Sequence, residues 1–126
     1  MGGPSEAHPP IMLGGYSECD MIKVSVMYPA RPGSTFNWDY YLGEHLRLTH
    51  QLLDSRGLVR IEIDRGLGSF PPGATAPYHA VGHLFFRTLD EMQNALGATA
   101  AQFIEDERKY APSGSVVQIS ELVTPI

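Results

Sequence analysis

The chain has 126 residues, 43% of them apolar and 18% charged, which suits one domain with a true core and is too short for two. Its formal charge of −5 is unevenly placed: residues 1–20 carry Glu6, Glu18 and Asp20 with no Lys or Arg, and the remainder holds 9 basic and 11 acidic residues, a balance of −2. A near-neutral domain without a basic cluster has no electrostatic footprint for nucleic acid or an anionic membrane.

Residues 1–20 contain four Gly, three Pro and the only cysteine, Cys19, and show no sustained period. They read as a flexible N-terminal extension, with Cys19 a bystander thiol and no intrachain disulfide available. The folded domain is expected to span residues 21–126. No apolar run approaches the roughly 18 residues of a membrane span, and the N-terminus lacks a secretory pattern, so the expected location is cytoplasmic.

IKVSVMY alternates, with Ile22, Val24, Val26 and Tyr28 facing one way and Lys23, Ser25 and Met27 the other, which predicts a strand. Asn37 is a candidate N-cap, with Phe36 and Tyr41 placed to form a hydrophobic staple. The helix it opens runs to Arg56, where Gly57 is the natural stop. A second strand follows in LVRIEID, with Val59, Ile61 and Ile63 on one face. GLGSFPPG is a Gly/Pro loop without the GxxxxGK[ST] pattern of a phosphate-binding loop, and it joins two strands. YHAVGHLFFR is apolar enough on both faces to be a central strand. TLDE then gives a capping box at Thr88 and Glu91. The helix after it continues through Glu107, with a break expected near Gly97, where Thr99 and Gln102 offer a second capping box. SVVQISELV is the last strand.

The order β-α-β-β-α-β predicts an α+β ferredoxin-like sandwich: a four-stranded antiparallel sheet with helices on one face. The uncovered face still carries apolar residues, so a partner is expected there, most simply a second copy of the chain.

The first helix poses a chemical question. At 100° per residue from Phe36, Trp38, Tyr41, Leu42, Leu46, Leu48, Leu52 and Leu53 fall in an arc from roughly 120° to 280°, and His45 lands near its middle at about 180°. His45 therefore faces the sheet, and His50 faces water. A buried imidazole must find hydrogen-bond partners, and burial favours its neutral form. It is then either a satisfied core residue or a base, acid or anchor beside an apolar cavity. Trp38, Tyr41, Phe85 and Phe86 are either core packing or walls of that cavity. His83, beside Gly82, is either a core or barrel-lining residue or part of the pocket wall. Glu105, Asp106, Glu107, Arg108 and Lys109 read as a solvated helix end. His45 and His50 diverge by about 140°, and His79 and His83 lie about 13 Å apart along a strand, so neither pair chelates a metal unaided.

IKVSVMYP, FNWDYYLGEH, PYHAVGHLFF and FIEDERKYAPSGSVVQISEL together resemble the EthD family, named for a gene cluster that degrades ethyl tert-butyl ether. The resemblance spans roughly residues 21–126. It implies a ferredoxin-like domain that dimerises, sheet to sheet, into an α+β barrel. It also marks His45 and the Asp39-Tyr40-Tyr41 triplet as signature positions. Relatives by fold include cofactor-independent monooxygenases, isomerases, cyclases and haem enzymes, so haem on His45 or His83 is a minor alternative, without a CxxCH motif to support it.

The function these readings support is binding, and transforming if the protein is an enzyme, of a small hydrophobic or aromatic metabolite in a catabolic or secondary-metabolic pathway. His45 and Tyr41 are the candidate catalytic pair, and Trp38, Tyr40, His83 and Phe85 the candidate substrate contacts. No cofactor or metal is expected, and the activity would be of a cofactor-independent oxygenase, isomerase or cyclase type. The resemblance also implies an alternative, a non-catalytic accessory or carrier protein to a P450-type ether-degrading system, with a redox enzyme as partner.

Overall fold

The computed structural model describes residues 21–124. The N-terminal extension and Cys19 lie outside the described residues. Strands β1 (Ile22–Pro29), β2 (Arg60–Arg65), β3 (Tyr78–Phe86) and β4 (Val116–Glu121) form one antiparallel sheet in the order β2-β3-β1-β4. Two helical segments join β1 to β2 and β3 to β4, giving the expected β-α-β-β-α-β order and an α+β ferredoxin-like fold. As its composition predicted, β3 is central.

Register separates the two faces of the sheet. Directly paired residues share a face. Val24, Val26 and Tyr28 of β1 therefore align with Leu84, Gly82 and Ala80 of β3. Ile61 and Ile63 of β2 join that row, and so does Val117 of β4. This is the face the helices cover. Two clusters fill it: Val24, Leu53, Phe86, Met92 and Ala95 at one end, and Tyr28, Tyr41, Ala80, Tyr110 and Ala111 at the other.

The first helix is not uniform. An α-helical turn, Trp38–Tyr40, passes into a π-helical segment, Tyr41–His45, then α-helix Leu46–Leu53 and a 3₁₀ turn Asp54–Arg56. Asn37 caps it as predicted, its side chain accepting from the Tyr40 N–H at 3.0 Å. The staple forms too, with the Phe36 and Tyr41 rings 4.9 Å apart. Gly57 stops the helix at φ +103°, a left-handed conformation that glycine adopts without a Cβ penalty.

The π segment changes what a uniform 100° wheel predicts. Leu42, placed inside the apolar arc, is 46% exposed. A wider turn brings residues four apart closer to one line. Tyr41 and His45 accordingly stack with centroids 5.1 Å apart and planes 10° from parallel, both turned toward the sheet. The second helix, Leu89–Glu107, is capped by Thr88, whose hydroxyl accepts from the Glu91 N–H at 3.1 Å. It runs unbroken through Gly97, against expectation. Thr99 opens no new helix there; its hydroxyl donates to the Ala95 carbonyl one turn back at 2.8 Å.

Gly82 lets Tyr41 reach the sheet, since a Cβ there would lie 2.5 Å from the Tyr41 hydroxyl oxygen. Tyr41 is 2% exposed among Phe36, Tyr28 and Tyr110, so it has little room to swing aside. Gly82→Ala should gain about 0.5–1 kcal/mol in strand preference and lose about 1–3 kcal/mol to overpacking. Net destabilisation is expected in urea unfolding. In a Tyr41→Phe background the collision disappears and the same substitution should become neutral or stabilising.

Candidate active site

A cavity of about 300 Å³ lies between the covered face of the sheet and both helices. Its floor is Val24, Val26, Ile61, Ile63, Gly82 and Leu84, and its roof includes Leu46, Leu96, Ala100 and Phe103. Ile104 and Val117 also line it and are 62% and 55% exposed, so it opens to solvent where the second helix and β4 part. Polar groups gather at one side: His45 and Thr49 from the first helix, Tyr28, Tyr41 and Tyr110, and the pair Glu107–Ser115, joined by a 2.7 Å hydrogen bond from the serine. Among the described residues, no Lys or Arg lines the cavity.

His45 is held from behind. Its Nδ1 lies 2.8 Å from Oδ2 of Asp106, which is 4% exposed. A carboxylate only accepts, so Nδ1 carries the hydrogen and Nε2 presents a lone pair. The Thr49 hydroxyl lies 3.5 Å from Nε2, at the outer limit of a hydrogen bond, and donates instead to the His45 carbonyl at 2.8 Å. The Nε2 lone pair is therefore free to accept a proton from a guest. Burial pushes the His45 pKa below its ordinary value, and the adjacent Asp106 carboxylate opposes that shift.

The tyrosines form a compact cluster. The Tyr28 and Tyr110 hydroxyls are 2.8 Å apart, and burial raises the pKa of both. The pKa of Tyr41 is pushed up to about 12, chiefly by burial. All three are neutral hydrogen-bonding groups at physiological pH.

Of the six residues singled out in the sequence, the structure brings two to the cavity, His45 and Tyr41. The other four lie elsewhere. Trp38 packs on Phe36 and Tyr41, with the Arg65 guanidinium 3.9 Å over its ring. Tyr40 lies outside the cavity wall and donates to Oδ1 of Asp106 at 2.5 Å. His83 and Phe85 are on the opposite face of the sheet, because β3 alternates and Gly82 and Leu84 take the covered side. There His83 bonds Ser25 through Nδ1 at 2.9 Å and Asp64 through Nε2 at 3.0 Å. Phe85 lies under the Arg60 guanidinium, 4.0 Å from its centroid. Phe86, the other candidate wall, is wholly buried in the core.

Sequence reasoning missed Asp106, which it assigned to a solvated helix end. Four of the five charged residues there are not buried, but Asp106 faces inward. Thr49 was also missed; its wheel angle of roughly 220° lay within the apolar arc. Among the described residues no group of three or more His, Cys, Asp or Glu could hold a metal ion, and no helix is long and apolar enough to cross a membrane.

This architecture, two helices over one face of a four-stranded antiparallel sheet with a site between the layers, is that of the EthD-like α+β proteins. The EthD domain model matches residues 34–113, more than half of the chain, and the chain belongs to the EthD family. It is similar in structure to an EthD-like protein from Ralstonia eutropha, with TM-score 0.77 and 28% identity over 83% of this chain and 94% of that one. An EthD family protein from Bacillus halodurans matches with TM-score 0.63 and 19% identity, covering 80% and 97%. A candidate antibiotic biosynthesis monooxygenase from Bordetella bronchiseptica shares the fold at TM-score 0.55 and 16% identity, covering 83% and 99%. No curated protein matches the sequence.

The burial of His45 has a consequence for stability. With its folded pKa lowered, the unfolded chain binds more protons below about pH 6.5, so His45 lowers stability as pH falls through that value. His45→Gln removes this contribution. Urea midpoints at pH 7.5 and 5.5 should converge more in the variant than in the wild type; an equal loss in both would show that burial leaves the imidazole unshifted.

Proposed function

We propose that this EthD-family protein binds a small, uncharged hydrophobic or aromatic metabolite between its helices and sheet, and that His45 takes a proton from it. The carrying observation is the imidazole itself, oriented by a buried carboxylate on one nitrogen and open to an apolar cavity on the other. That is the arrangement of a general base with its orienting partner. Lack of a lining cation, together with Glu107 in the wall, argues against a carboxylate or phosphate guest. The volume lies at the low end of ligand sites, about 300–1,000 Å³, which suits a compact ring system.

In the simplest chemistry, Nε2 removes a proton from carbon next to a carbonyl. The electron pair moves onto the carbonyl oxygen, giving an enolate beside the tyrosine hydroxyls. Where a C=C bond adjoins that carbon the enolate is extended. The imidazolium then returns the proton to the far alkene carbon, shifting the double bond into conjugation with the carbonyl, an isomerisation that needs no oxidant. The pathway context is catabolic or secondary-metabolic. An accessory or carrier role has one observation in its favour: the walls are largely apolar and would hold a guest without any reaction.

2-Tetralone, a neutral aromatic ketone with exchangeable protons beside its carbonyl, separates the two readings. In heavy water the wild type should accelerate deuterium uptake, read by proton NMR. His45→Gln should lose most of that acceleration, on the order of 10²–10⁴-fold for a general base. Because the working form is the neutral imidazole, the rate should rise with pH and level off from a midpoint below about 6.5. Binding without exchange would favour the carrier and sink the base chemistry. In calorimetry, 2-naphthol should bind at least about tenfold (1.4 kcal/mol) more tightly than 2-naphthoate, and Glu107→Gln should narrow the gap. Equal binding of the anion would overturn the neutral-ligand reading.

The helix-free face supports a second copy of the chain as partner. Met27, Val81 and Phe85 share it with Lys23, Ser25 and His83, and a matching sheet would cover it. Sedimentation equilibrium should report a dimer, and a monomer at micromolar concentration would remove that partner.

A further inference from the structure

We infer that Tyr40 is a positioning residue that sets the basicity of His45 through Asp106, from outside the cavity. The inference deepens the reading of His45 as a base and rests on it. Tyr40 does not line the cavity; its ring is half-buried and stacks 6.1 Å from Tyr110. Its hydroxyl and the imidazole divide one carboxylate between them, Tyr40 donating to Oδ1 at 2.5 Å and His45 Nδ1–H to Oδ2 at 2.8 Å. The phenol contact is at the short end for an O–H donor to a carboxylate, and the imidazole contact lies within the usual range for an N–H donor.

Two donors on one buried carboxylate compete for the same negative charge. Density drawn to Oδ1 by the phenol is withdrawn from Oδ2, which then stabilises an imidazolium less well. The phenol also fixes the carboxylate in place, because its hydrogen bond occupies the second oxygen. Tyr40 thus anchors the orienting group and moderates it. The reverse influence is visible on Tyr40, whose own pKa is pushed up to about 12, first by its hydrogen bond to Asp106.

The surroundings of His45 leave few rivals for this role. The second helix contributes Asp106 and Glu107, the segment after it Tyr110, and β1 contributes Tyr28. Its own helix adds Tyr41, with Glu44 and Arg47 exposed and paired to each other. The lining residues of β2 and β3 do not titrate, nor does Val117 of β4. Asp106 also borders an outer cleft that contains Glu105 and Lys109. Of these groups Tyr40 alone is a neutral donor on the free oxygen of the orienting carboxylate.

The test is ligand-free NMR titration of the His45 ring, so its result is independent of whether the cavity binds or turns over any guest. Tyr40→Phe should raise the His45 midpoint by about half a pH unit or more. Placing 3-fluorotyrosine at position 40 keeps the ring, makes the hydroxyl a stronger donor, and should move the midpoint the other way. Opposite shifts support the inference. An unchanged midpoint in both proteins, or shifts in the same direction, overturns it. So does a Tyr40→Phe protein that melts earlier while its His45 midpoint stays in place, because that is what a purely structural hydroxyl would give.

Discussion

The hydrogen bond between His45 and Asp106 is the constraint on which the rest of the site depends. It ties the middle of the first helix to the last turn of the second across 61 residues of chain. Asp106 has almost no contact with water, so its charge must be met by protein donors, and both of its oxygens are. Removing the imidazole would leave a buried carboxylate oxygen without its donor, a loss of about 1–3 kcal/mol or more. The protein carries that liability at the one place where an oriented imidazole is chemically useful.

Around this pair the aromatic residues do two jobs. Tyr28, Phe36, Tyr41 and Tyr110 fill one end of the sandwich with tilted and edge-on contacts, each a source of cohesion beyond simple area burial. The three tyrosine hydroxyls also give that end of the cavity a neutral polar surface. The cavity itself follows from what is missing at its floor. Gly82 offers no side chain, so Tyr41 can lie against the sheet, and the space beyond it is bounded by aliphatic residues that cannot fill it. The π-helical segment completes the geometry by bringing Tyr41 and His45 nearly into register, one ring over the other.

The sheet keeps two chemistries apart. Its covered face holds the apolar chamber and the His45 machinery. Its other face holds the Ser25–His83–Asp64 chain of hydrogen bonds and the Arg60–Phe85 stack. A single residue separates them along β3, where Gly82 and Leu84 look into the chamber while His83 and Phe85 look away. The strict two-residue period of a strand makes this division sharp.

The amino-acid pattern alone determined the element order, the four-stranded antiparallel sheet, the caps at Asn37 and Thr88, the stop at Gly57 and the inward aim of His45. These are local matters, governed by periodicity and by side chains within a few positions of the backbone they satisfy. It also carried enough of the family's motifs to bring the EthD resemblance into view. It did not reveal which face of β3 would meet the helices, because a strand apolar on both sides has no period to break the tie. Hence His83 and Phe85 were placed with a site they do not touch. Nor did it reveal Asp106, since a carboxylate in a charged run looks solvated until something distant claims it. Only tertiary structure brought Tyr40 and His45 to that carboxylate across more than sixty residues of chain, and only packing left a hollow in front of the imidazole.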